Sequence, residues 1–241
     1  MNGSGDVSVE SALADLVRAN RILANEGVMD GFGHVSIRHP SEPSRYVLSR
    51  SLSPELVTRD DLMEFGLDDT PVDPRGRSMY AERAIHGGIY RARPEVNAVV
   101  HNHSTALIPF GVTGMPLKAI FHMGAVIGSE VPIWDSRPEF GDTNLLVTDH
   151  EKGMSLAKAL GPRRAALMRG HGCVVTGASV REAVFVAVYM QANAELVMRS
   201  RSLGEVNYLS DGEIRLAADH LFKPLSQDRA WEYWSRRAGC A

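Results

Sequence analysis

Leu13, Leu16, Val17 and Leu23 fall close to the period of a helix, and Asn25-Glu26-Gly27 supplies a glycine stop, so the chain opens with an amphipathic helix ending near position 25. The period then changes. Gly31-Phe32-Gly33-His34-Val35-Ser36-Ile37-Arg38 starts as a loop and alternates like a strand, with Arg45 to Ser49 as its hairpin partner across a turn at His39 to Ser44. Thr58-Arg59-Asp60-Asp61 reads as a helix start, Asp69 to Gly76 as a loop rich in proline and aspartate, and Tyr80 to His86 as a helical segment. Val96-Asn97-Ala98-Val99-Val100 is a short β-branched run that predicts a buried strand.

Beyond it the pattern predicts a short helix and then strands at Lys118 to Met123 and Val131 to Trp134. Thr148-Asp149-His150-Glu151 reads as a capping box for a helix closed by Gly161-Pro162, and Ala165 to Met168 as another buried strand. Ser179-Val180-Arg181-Glu182 opens a longer helix. Its residues Ala183, Ala187, Met190, Ala194 and Val197 form the stripe of a helix that packs on a sheet. Interleaved helices and hairpin-like strands predict an α/β fold, a three-layer α/β/α domain with a mixed, largely antiparallel central sheet. No repeat or linker divides the chain. The expectation is a flexible tail over residues 1–10 and one catalytic domain over 11–241 that ends in a helical extension.

Composition narrows the partners. The 241 residues carry a net charge of −3 with both signs interspersed, which argues against nucleic acid or an anionic membrane and for a small ligand. The longest unbroken apolar run, Ala183 to Met190, is far below the ~20 residues that cross a bilayer. Cys173 and Cys240 are too few for a disulfide framework or a Cys-x-x-Cys zinc site. With no basic start and apolar run of a secretion signal at Met1 to Asp6, a cytoplasmic location is expected.

The candidate chemistry begins at His101-Asn102-His103, where the predicted strand ends. Side chains two apart on an extended segment share a face, so two imidazoles here can grip one divalent ion. Arg169-Gly170-His171-Gly172 offers a third imidazole between glycines, and Glu82 offers a carboxylate. A single His-x-His pair is more often surface decoration; the company of His171 and Glu82 gives this one weight.

With these residues placed, the chain resembles the class II aldolase/adducin superfamily from about Asp15 to Leu209. The resemblance rests on Gly33, Ser36 and Arg38, on Glu82 with His86, on Arg93 to His103, and on Arg169-Gly170-His171-Gly172. It implies that Glu82, His101, His103 and His171 hold a divalent metal, with sites at the subunit boundaries of a homotetramer. It implies no organic cofactor. Mn2+ or Zn2+ leads among the ions, and Fe2+ and Co2+ also accept a mixed N/O set.

The sugar-phosphate aldolases of this superfamily usually carry Gly-Asn-x-Ser-x-Arg and a second, glycine-rich loop whose amides cradle a phosphate. Here His34 replaces the Asn, and the second loop reads Leu48-Ser49-Arg50-Ser51-Leu52-Ser53-Pro54. The arginine favours a carboxylated, phosphate-free substrate, although a surface ion pair would explain Arg50 equally well. The wording Asp30 to Pro40, Leu167 to Gly172 and His122-Met123-Gly124 looks like the branch that decarboxylates dihydroxylated benzoates and phthalates or hydroxylated pyridine dicarboxylates in degradative pathways.

The expected activity is therefore metal-dependent, non-oxidative decarboxylation of an ortho-hydroxylated aromatic carboxylate. Ser36, Arg38, Ser49 and Arg50 are the expected substrate-binding residues, and Glu82, His34 and His122 the candidates to protonate the ring. A retro-aldolase using the same ligands and an adducin-like binding domain are the rivals. His86 is expected either to orient Glu82 or to pack its helix. Cys173 is expected to be a buried thiol, and His39, His150 and His220 to be solvated. Trp231, Tyr233 and Trp234 either cover a neighbouring site or pack the last helix.

Overall fold

In the computed structural model, which describes residues 8–240, the side chain of Ser8 accepts from Ser11 N and caps α1 (Val9–Asn25). The first seven residues of the expected tail lie outside the described residues, and its last two already belong to this helix. A hairpin of β1 (His34–Arg38) and β2 (Arg45–Ser49) follows, then β3 (Leu62–Gly66), α2 (Ala84–Ala92), β4 (Ala98–Asn102) and the short α3 (Ile108–Thr113). The chain continues through β5 (Ile133–Trp134), α4 (Arg137–Phe140), α5 (His150–Leu160), β6 (Ala165–Met168), β7 (Gly172–Gly177) and α6 (Val180–Leu203). It ends in α7 (Asp211–Leu221) and α8 (Pro224–Arg237).

The strands form one sheet in the order β3-β2-β1-β4-β7-β6-β5, antiparallel throughout except for the β5/β6 pair. Strand alternation sorts two cores. Val35, Ile37, Val100, Leu167 and Val175 face α1 and α6, whereas Leu48, Phe65, Val99, Met168 and Val174 face α2 and α5. The result is the three-layer α/β/α domain with a largely antiparallel sheet. The α6 stripe Ala183, Ala187, Met190, Ala194 and Val197 is fully in the core. Close approach of α2 and α5 depends on glycine, because a Cβ on Gly153 would stand 2.3 Å from the Ala84 carbonyl oxygen. No helix among the described residues is long and apolar enough to cross a membrane.

Three local expectations change. Lys118 to Met123 is not a strand: its backbone is bonded by the buried Asn193, whose Nδ2 donates to Lys118 O (2.9 Å) and whose Oδ1 accepts from Ile120 N (3.0 Å). Leu209 N takes Ala119 O at 2.9 Å, and the chain then turns into a 3-10 helix at His122–Ile127. Thr58 and Asp61 do form a capping box, but for one 3-10 turn that leads directly into β3. The α5 cap is Asp149, accepting from Lys152 N at 2.9 Å, one residue beyond the expected Thr148.

Candidate metal and active site

His101 stands on β4 and His103 just past its end, while His171 closes the β6–β7 hairpin. Gly170, at φ +68°, makes that turn, and Arg169 ties it to Asp135 through a 2.7 Å ion pair. Gly172 lets the hairpin close on β4: a Cβ there would lie 2.1 Å from Asn102 O and 3.1 Å from His103 Cδ2. Glu82 approaches from a 3-10 turn, Ala81–Arg83, that precedes α2 and holds it at φ −95°, ψ 22° instead of in the helix proper. One ligand atom from each of Glu82, His101, His103 and His171 lies within 4.8 Å of the others.

The nitrogens converge tightly. His103 Nε2 is 3.0 Å from both His101 Nε2 and His171 Nε2, and a Glu82 carboxylate oxygen is 3.7 Å from the first of these partners and 3.4 Å from the second. His101 Nδ1–H donates to Cys173 O at 3.0 Å, which leaves its Nε2 as a bare lone pair. Glu82 Oε1 accepts from Val147 N at 2.9 Å, fixing the carboxylate. A proton on either remaining Nε2 could satisfy only one of the two imidazole contacts, so bare nitrogens and an anion face one another. That arrangement suits a divalent cation with a mixed N/O set. Burial alone would raise the Glu82 pKa, but His101 and His171 hold it well below the carboxylate range. Burial first, then His101 and His171, lowers the pKa of His103 to about 4.

A second cluster lies behind the first. The β1/β4 register sets His34 opposite His101, with ring centroids 5.0 Å apart, and the Tyr80 ring is 4.5 Å from His34 on another side. His34 Nδ1 meets His86 Nε2 at 2.6 Å, His86 Nδ1 meets Ser36 Oγ at 2.6 Å, and Ser36 Oγ meets Tyr90 Oη at 2.8 Å. All four side chains are buried. His86 therefore bonds to His34 and Ser36 instead of orienting Glu82. Burial, then His101, pushes its pKa down to about 3. Burial, then His86 and His101, takes His34 well below the ordinary value.

Residues 14–198 match the family described as Class II Aldolase and Adducin N-terminal domain. The chain belongs to this family. It is 33% identical over 237 residues to decarboxylase tropJ of Talaromyces stipitatus, covering 89% of each chain. It is 26% identical to a 3,4-dihydroxyphthalate decarboxylase of Terrabacter sp., covering 98% of this chain and all of that one. The solved L-fuculose 1-phosphate aldolase from Glaciozyma antarctica superposes with a TM-score of 0.79 at 23% identity, over 96% of this chain and 93% of that one, and so shares the fold. This class II aldolase-family chain is a carbon–carbon lyase.

Several expected substrate contacts are corrected by the structure. Arg38 is buried, and its guanidinium donates to the carbonyls of Val96, Pro43, Tyr90 and Arg93 at 2.8–3.0 Å. It pins β1 to the end of α2. Ser36 is fully buried and belongs to the His86 chain. Ser49 is buried too, its Oγ 3.2 Å from Tyr80 Oη. Arg50 forms the ion pair, with Nε donating to Asp61 at 2.6 Å, so only its terminal nitrogens are left to reach a substrate. His122 does not join the Glu82 cluster. It is exposed, its ring 6.2 Å from that of His220, in a crevice of about 500 Å³ lined by Phe185, Tyr189, Arg229 and Tyr233.

Other expectations divide. Cys173 is a buried thiol whose pKa burial raises to about 12, and His150 and His220 are exposed. His39 is only partly so and caps the turn by accepting from the amides of Ser41 and Glu42. Trp231 and Trp234 pack into the core, with the Trp234 ring 5.9 Å from that of Phe185, while Tyr233 is exposed. Tyr80 and Tyr90 were missed. Tyr90 had a signal, because Glu82, His86 and Tyr90 recur every four residues along one helical segment.

Proposed function

We propose that this protein is a metal-dependent, non-oxidative decarboxylase of an ortho-hydroxylated aromatic carboxylate. The observation that carries the choice over an aldolase is the loop after β2. Its first three amides are already bonded inside the protein: Arg50 N donates to Asp61 O, Ser51 N to Ser78 O and Leu52 N to Tyr80 Oη. Amides with internal partners do not form the anion cradle that a sugar phosphate needs. The decarboxylases named above support the same reading.

Decarboxylation replaces a carboxylate by a proton: the ring–carboxyl bond breaks, CO2 leaves, and the electron pair left on carbon takes up a proton. Glu82, His101, His103 and His171 would hold the metal, whose Lewis acidity lowers the cost of charge building on the ring. Mn2+ or Zn2+ is the expected ion, with Fe2+ and Co2+ compatible. The chain's own groups set the frame. Val147 N–H aims the Glu82 carboxylate, Cys173 O fixes the His101 tautomer, and His34 faces the same space. A homotetramer with sites at subunit boundaries is part of the reading, as is a place in the cytoplasm.

The test incubates metal-loaded protein separately with dihydroxylated benzoates and phthalates and with ketose phosphates, following CO2 in the first and aldehyde in the second. CO2 release that disappears on chelation is expected. Aldehyde without CO2 would make the protein an aldolase, and neither product would exclude both reactions for these substrates.

A further inference from the structure

Hydrogen counting along the buried chain behind the metal ligands settles a question that distances alone leave open, namely which nitrogen of His34 carries the proton. Three contacts join Tyr90 Oη, Ser36 Oγ, His86 Nδ1 and Nε2, and His34 Nδ1, each at 2.6–2.8 Å. Each contact needs one hydrogen, and His86 can supply its own from Nδ1 or from Nε2. Were His34 Nδ1 the donor, His86 would donate to Ser36, and the hydroxyl hydrogens of Ser36 and Tyr90 would have one contact between them, so one of the two would need an acceptor elsewhere. Both are buried, and among the described residues neither hydroxyl has an acceptor outside the chain: Ser36 meets only His86 and Tyr90, and the other group beside Tyr90 is the Val99 N–H, itself a donor. A buried hydroxyl hydrogen without an acceptor is costly.

The opposite order satisfies every group. Tyr90 donates to Ser36, Ser36 to His86 Nδ1, and His86 Nε2–H to His34 Nδ1. Only Nε2 of His34 is then left to hold that ring's own hydrogen. Among the described residues His34 Nε2 has no hydrogen-bond partner, yet it is not one of the sealed buried polar atoms, so it is open to solvent, with the Tyr80 and His101 rings beside the His34 ring.

We infer that His34 presents a fixed, neutral N–H to the active site, a hydrogen-bond donor for a carboxylate or phenolate oxygen of the substrate, with its tautomer set by the Tyr90–Ser36–His86 chain. The role of the donor rests on the proposed decarboxylation; the tautomer does not.

The test has two arms. In the first, protein labelled with 15N-histidine and loaded with diamagnetic Zn2+ is studied by long-range 1H–15N correlation, the His34 signals being assigned by their loss in His34→Gln. The Nε2–H pattern at neutral pH is expected. An Nδ1–H pattern or an imidazolium would overturn the inference even in an active enzyme, whereas Nε2–H in a protein that releases no CO2 would overturn the reaction and leave the tautomer standing. In the second arm, His34→Gln places an amide N–H near the Nε2 position, whereas His34→Asn places it near Nδ1. Gln should retain kcat within about tenfold and Asn should lose on the order of 100-fold, the usual cost of removing one oriented donor. Equal losses in Gln and Asn variants that keep full metal content would overturn the donor role. Ser36→Ala should mix the His34 tautomers, and Ser36→Thr should restore the single one.

Discussion

Buried neutral imidazoles make the protein acid-sensitive at the residue scale. His86 titrates at about 3 and His103 at about 4 in the folded chain, against roughly 6.5 when unfolded, and His34 is lowered too. Between those values the unfolded chain binds more protons, so stability falls as pH falls through the window. Asp69 works the other way. Its pKa is raised to about 6 by burial, so its ionisation costs stability as pH rises from the ordinary carboxylate range to about 6. Burial raises Glu182 as well, and three imidazoles outnumber two carboxylates. Urea midpoints of chelator-treated protein should therefore drop from pH 7 to pH 5, and His86→Gln should flatten the slope. A midpoint that holds or rises would contradict this assignment. Two substitutions probe the site itself. His101→Ala or His171→Ala should abolish binding of about one divalent ion per chain while leaving a folded protein, as elemental analysis and circular dichroism would show. Arg50→Lys keeps the charge and loses the planar fork, so it should raise KM about tenfold with metal content unchanged. An unchanged KM would leave Arg50 only its ion pair with Asp61.

At the scale of elements, the hairpin that delivers His171 is governed by Gly172. A methyl group there would collide with the Asn102 carbonyl and crowd the His103 ring, forcing β7 away from β4. Gly172→Ala should cost about 1–3 kcal/mol or more of stability and displace His103, so that metal content falls along with the melting temperature. A variant with native metal stoichiometry would show that the strands can absorb the methyl. The same elements explain what was legible beforehand. Strands β1, β2, β4 and β6 and helices α1, α5 and α6 carry their period or their caps in the sequence, and the four residues of the candidate cluster stand out there too, because His-x-His and Gly-His-Gly have meaning at short range. What was not legible depends on distant partners. The extended stretch at Lys118–Ile120 looks like a strand until Asn193 of α6 is seen to bind its backbone, and Ser36 and Arg38 look like ligand contacts until α2 closes over them.

The whole molecule poses the question of how much of the active site one chain contains. Glu82, His101, His103 and His171 converge within it, but His122 lies apart, in the crevice that α7 and α8 form against α6. The terminal helices are part of the core. Trp231 and Trp234 are buried, and removing residues 224–240 would uncover Phe185 and the α6 face. Trp234→Ala should cost about 3–5 kcal/mol, as expected for emptying a large aromatic site. The proposed homotetramer would let the exposed His122 serve the site of another copy. Mixing experiments test this directly. Chains carrying His101→Ala and chains carrying His122→Ala should each be impaired, and co-assembled oligomers should regain part of the activity, since some interfaces then pair an intact metal cluster with an intact His122. Light scattering should give four chains per particle in the wild type. Full activity in a monomer at micromolar concentration would confine the site to one subunit, and an unimpaired His122→Ala chain would remove His122 from it.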